Sequence, residues 1–109
     1  MQKVLTTTQT TGDVFDSNDV PSSFAVVAVA PSGATFPTSL YLEYAVAVKD
    51  GEPVADADLV WNKRHGTTLS ADASNNNGNT LVLLNNLDHV KYRVVAATAG
   101  VEVYIAQVY

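Results

Sequence analysis

A chain of 109 residues, 47 % apolar and only 16 % charged against a usual share near 25 %, has room for one core and presents much neutral surface. Its net charge of −5 is uneven, with two lysines against eight acids in residues 1–59, which argues against a nucleic-acid binder. The absence of cysteine excludes disulfides, thiolate metal sites and cysteine nucleophiles.

The N-terminal stretch "VLTTTQTTGDVFDSNDVP" differs from the rest. Its threonines favour extended backbone and offer nothing large to bury, so residues 1–20 are expected to form an extended arm with an acidic loop. Such an arm is either frayed or ordered by a neighbouring subunit, which makes Val4, Leu5, Thr6, Thr7 and Thr8 candidate subunit contacts. No apolar run marks a secretory leader, and Phe24 to Ala30, the longest apolar stretch, is far short of a membrane span. A cytoplasmic protein with no membrane contact is expected.

Residues 21–109 are expected to form a single domain of short strands. "SSFAVVAVA", bracketed by Pro21 and Pro31, is apolar on both faces, as in a strand covered on both sides. "SLYLEYAVAV" alternates, with Leu40, Leu42, Tyr44, Val46 and Val48 on one face and Tyr41, Glu43, Ala45 and Ala47 on the other. Asp50-Gly51 then predicts a type I′ hairpin turn, because both central positions need positive φ. "ADLVWNK" and "GTTLSAD" read as two strands joined through "RHG", and "SNNNGN" reads as a loop before the strand "NTLVLL". After the turn "NNLDH", "VKYRVVAA" and "VEVYIAQVY" predict a final hairpin through Gly100. Tyr92 and Val94, then Val101, Val103 and Ile105, face the core, while Lys91, Arg93 and Glu102 face outward as cross-strand charge partners. Seven to eight strands in 109 residues predict an all-β fold, an antiparallel β-sandwich of immunoglobulin-like or jelly-roll type. The last strand lies either in a sheet centre or at an open edge.

No residue constellation announces a chemistry. There is no G-x-S-x-G elbow, no Gly-rich loop opening a helix, and His65 and His89 stand apart in separate turns. The carboxylates offer two weaker patterns. Asp13, Asp16 and Asp19 recur every third residue and could offer oxygen ligands to Ca²⁺, although the spacing is not that of a calcium loop. Asp56 and Asp58 alternate, so on a strand they would point the same way, the arrangement a hydrolytic carboxylate pair requires. The reading is non-enzymatic, with no catalytic residue and no cofactor. Among aromatics, Trp61 is the candidate for stacking on a glycan, and Tyr41, Tyr104 and Tyr109 for contact with a partner chain.

"SLYLEYAVAVKDG", the following tryptophan, and "KYRVVAATAGVEVYIAQV" resemble small β-sandwich structural proteins of tailed bacteriophages. In these an L-x-Y strand runs into a D-G turn and a Trp strand, and "YRV" and "VYIA"-type strands close the domain. The resemblance covers residues 39–109, and the insertion "EPVADADLV" before Trp61 departs from it. It implies a virion protein on the capsid surface, a head decoration or cement protein that homotrimerises and binds the major capsid protein. A host-surface glycan-binding module of a tail or head fibre is the alternative.

Overall fold

The computed structural model describes residues 2–31, 35–70 and 79–107. They form ten antiparallel strands and no α-helix. The longer strands are β1 (Gln2–Leu5), β3 (Ser23–Val29), β4 (Leu40–Val46), β8 (Asn79–Asn85), β9 (Val90–Ala96) and β10 (Glu102–Gln107). Four two-residue strands, β2 (Phe15–Asp16), β5 (Val48–Lys49), β6 (Glu52–Pro53) and β7 (Asn62–Lys63), raise the count above the seven or eight expected. Two four-stranded sheets, ordered β1-β10-β3-β8 and β2-β9-β4-β7, share one core, and β5-β6 is a separate ribbon. The core runs from Leu5, Phe24, Val26 and Val103 on the first sheet to Phe15, Leu40, Leu42, Tyr92 and Val94 on the second. Phe24 and Tyr92 meet across it with ring centroids 5.7 Å apart.

The ends of the chain overturn two expectations. The N-terminal segment is not an arm awaiting a neighbour. Strand β1 pairs antiparallel with β10, and Val4 and Leu5 are fully buried in the chain's own core, so neither is free to contact a subunit. Two adjacent aliphatic side chains suffice to anchor a short strand once a partner strand takes its backbone bonds. The threonines that follow make the turn: Gln9 N–H donates to Thr6 O (3.2 Å), and Thr6 N–H to the Gln9 Oε1 (2.9 Å). Thr6 is half-buried there and Thr7 and Thr8 are exposed. The chain then crosses to the other sheet and runs beside β9, through Ala96 N–H to Thr10 O (2.7 Å) and Gly12 N–H to Val94 O (2.8 Å). Gly12 is required, because a Cβ would stand 2.2 Å from Val4 O.

The second correction concerns the final hairpin. Strands β9 and β10 do not pair; β9 lies between β2 and β4, and β10 lies centrally between β1 and β3. Their inward residues are those expected, Tyr92 and Val94, then Val101, Val103 and Ile105. The outward charges, however, find other partners: Arg93 with Glu43, Lys91 with Asp56, and Glu102 with Lys3. Both strands bury alternate residues, so packing them face to face in opposite sheets satisfies the pattern as well as a hairpin does.

The Asp50-Gly51 turn has the expected geometry, with φ of 51° and 77°, and joins β5 to β6. Of the two strands expected in "ADLVWNK" and "GTTLSAD", only Asn62–Lys63 is a strand among the described residues. The chain from Asn62 to Leu69 runs along one edge of β4, with Arg64 N–H on Leu42 O (2.9 Å) and Leu69 N–H on Leu40 O (2.8 Å). Gly66 (φ 78°) bends the chain between them, and the Thr67 hydroxyl stands in for the backbone, accepting from Leu42 N–H at 3.1 Å. Burial along β4 also changes phase. Leu40 and Leu42 face the core, but Ala45 and Ala47 are buried on the opposite face while Val46 is 44 % exposed. The cause is the chain after β6, which folds back over that face, Val54 N–H reaching Ala47 O (2.8 Å) and Asp56 reaching Lys91.

Candidate functional site

The outer face of the β2-β9-β4-β7 sheet carries an open cleft of about 560 Å³ lined by Val14, Asp16, Asp19, Asp56, Leu59, Trp61, Lys91 and Arg93. Its floor is β9. Because Tyr92 and Val94 point into the core, Lys91 and Arg93 must point out. One wall is the segment around β2, where the Asp16 carboxylate accepts from Asn18 N–H (3.0 Å) and starts a 3₁₀ turn over Ser17–Asp19. The other wall is the segment from Asp56 to Trp61. Asp56 and Asp58 are not on a strand: Asp56–Asp58 is a 3₁₀ turn closed by Asp58 N–H to Ala55 O (2.9 Å). Aspartates favour such a turn because their side chains compete with regular backbone pairing.

Register across the sheet aligns the charges. Arg93 of β9 stands opposite Glu43 of β4, which stands opposite Lys63 of β7. Arg93 Nε donates to Glu43 Oε1 at 2.8 Å, and its guanidinium lies 4.3 Å from the centroid of the Trp61 ring. Trp61 is therefore half-buried against a cation, and one of its two faces is filled from within the chain. A glycan can stack only on what remains. Lys91 Nζ bonds Asp56 Oδ1 at 2.8 Å. That hydrogen bond, and then the lysine charge, hold the Asp56 carboxyl below the usual carboxylate range; the same bond raises the Lys91 ammonium.

Residues singled out from the sequence for three different reasons thus line one cleft: Asp16 with Asp19, Asp56, and Trp61. Asp13 turns away and accepts from Gln9 Nε2 (3.0 Å), and Asp58 is exposed beyond the cleft. Among the described residues no group of three or more His, Cys, Asp or Glu can hold a metal ion. His65 and His89 are exposed in separate turns. Tyr41 lies under Lys63 Nζ (4.9 Å) outside the cleft. Tyr104 sits on the outer face of the other sheet, its hydroxyl donating to Glu102 Oε2 (3.1 Å), and Lys3 bonds the same carboxylate at 2.6 Å. Tyr109 lies outside the described residues. Sequence reasoning missed Val14, Leu59, Lys91 and Arg93 as companions. The outward alternation of Lys91 and Arg93 was visible, but their partners come from segments 35 and 50 residues away.

No helix among the described residues is long and apolar enough to cross a membrane. Compared with protein-family models, with curated proteins and with solved structures, the chain matches none.

Proposed function

We propose that this protein is a non-enzymatic structural component of a bacteriophage virion, a decoration or cement protein that binds the major capsid protein across subunits and stabilises the head. The two sheets then form an antiparallel β-sandwich of the immunoglobulin-like or jelly-roll kind. The supporting observation is the outer face of the β1-β10-β3-β8 sheet. Strand β3 carries Ala25, Val27 and Val29 there, the first buried and the valines half-buried, registered with Ala106, Tyr104 and Glu102 of β10 and, at Ala25, with Leu83 of β8. Leu83 is 63 % exposed, and β8 is the sheet's edge strand. An apolar strip bordered by the Lys3–Glu102 pair, beside a strand at the sheet's edge among the described residues, gains from being covered by another chain. The sequence of β3, apolar on both sides, has the composition of a strand covered twice, whereas one of its faces meets the core.

Cement action on this reading is mechanical. Each copy adds binding free energy that only the assembled shell receives, which raises the shell's resistance to disruption. The test is co-sedimentation with purified heads and with tails. Many copies on heads, and loss of that binding in Leu83→Asp with the fold intact, are expected. A folded protein that associates with neither itself nor capsids overturns the reading.

A further inference from the structure

We propose that the cleft around Trp61 is a socket for a lysine or arginine side chain presented by a partner polypeptide. The inference rests on the geometry of the cleft and not on the virion reading. Its walls supply what a long cationic side chain needs along its length. Val14, 52 % exposed, with Leu59 and the Trp61 ring, offers apolar surface for an aliphatic stem. At the rim stand Asp16 and Asp19, carboxylates for the charged head.

The charge balance favours a cation. Both basic groups in the cleft are already engaged, Arg93 by Glu43 and Lys91 by Asp56, each at 2.8 Å. Asp16 stands opposite Lys91 in register, but that lysine is bonded to Asp56, so the lining sets three carboxylates, Asp16, Asp19 and Asp56, against two cations, one of them also held by Glu43, beside an apolar wall. An anionic ligand would have to displace an existing ion pair; a cationic one would not. The chain itself displays the mode of recognition, since Arg93 places its guanidinium on the Trp61 ring while a carboxylate holds it from the side. A partner's side chain would repeat that arrangement from solvent.

Trp61 is the only tryptophan in the chain, so its emission reports on the cleft alone. The experiment titrates the full chain with a short lysine-bearing peptide, with the same peptide carrying norleucine, and with a neutral oligosaccharide, following Trp61 fluorescence and its indole N–H resonance. A saturable change with the lysine peptide, weakened by salt, is expected. The double variant Asp16→Asn, Asp19→Asn keeps the turn, because asparagine also caps it, and is expected to bind about tenfold more weakly. The proposal is overturned by an equal response to the norleucine peptide, by unchanged affinity in the double variant, by a response to the oligosaccharide alone, or by no response at all.

Discussion

Strand β9 builds a polar cluster on each of its faces, and the two clusters do opposite work. The inward one is anchored in the core and runs out to the half-buried turn at Asn86. Tyr92, fully buried at its ring, donates through its hydroxyl to Asn86 Oδ1 (2.9 Å) and accepts from Leu87 N–H (2.8 Å). Asn86 Nδ2 donates to Ser17 O (2.7 Å) and Val20 O (3.2 Å), and Ser17 Oγ accepts from Val90 N–H (3.2 Å). Arg64 caps the group by donating to Asn85 O. The outward cluster, Lys91 and Arg93 with Asp56, Glu43 and Trp61, lines the open cleft, graded from the half-buried Arg93–Glu43 pair to the exposed Asp56. A hydrogen bond withdrawn from solvent leaves an unsatisfied group when its partner is removed, whereas an exposed ion pair is replaced by water. The inner cluster therefore fastens the turns to the sheets, and the outer one shapes a surface.

The variants with the largest consequences fall on the inner side. Tyr92→Ala removes a ring packed against Phe15 at 5.3 Å and Phe24 at 5.7 Å between centroids, and is expected to cost about 3–5 kcal/mol in urea unfolding. Asn86→Ala takes one hydrogen bond from each of the Ser17 and Val20 carbonyls and from the Tyr92 hydroxyl, and is expected to cost about 2–3 kcal/mol by the same measurement.

Tyr92→Phe keeps the ring and tests the hydroxyl alone. Burial raises the Tyr92 phenol above its ordinary value, with the charge of Asp88 adding to it against the Leu87 hydrogen bond and Arg64. A phenol harder to ionise in the folded state contributes stability fully present below the unfolded value of about 10 and lost as pH rises beyond it. Wild type is therefore expected to weaken above about pH 10, and Tyr92→Phe to flatten that slope while costing about 1 kcal/mol at neutral pH.

On the outer side the expected effects shrink. Glu43→Gln loosens Arg93 from its place over Trp61, with about 0.5–1 kcal/mol lost and a clear change in Trp61 emission. Asp56→Asn is the mildest. Because Lys91 holds the Asp56 carboxyl low, its contribution is present above the ordinary carboxylate value and lost as pH falls through that range. The variant is expected to flatten the acid limb slightly and leave neutral stability almost unchanged, as an acid-titrated thermal melt would show.

Residues differ in how openly they declare these roles. Alternation exposed the inward set on β9 and β10 and the outward set beside it, and Asp50-Gly51 announced its turn outright. Asn86 gave no sign of its three-way role, because an asparagine in "NNLDH" reads as turn chemistry whether its amide meets water or two carbonyls. Trp61, Asp16, Asp19 and Asp56 each stood out, but nothing local brings them together. Val4 and Leu5 stand beside a run of threonines, and two aliphatic residues in a polar stretch do not show that a strand waits for them.

Residue order alone carried the all-β character, the strand faces and the tight turns, because these depend on side-chain period and on backbone angles within a few residues. Which strands pair, that the N-terminal segment closes the edges of both sheets, and that a cleft forms over β9 were settled only by folding. Pairing partners exchange equivalent backbone bonds, so choice among them rests on how whole faces fit together, a property no short stretch of chain contains.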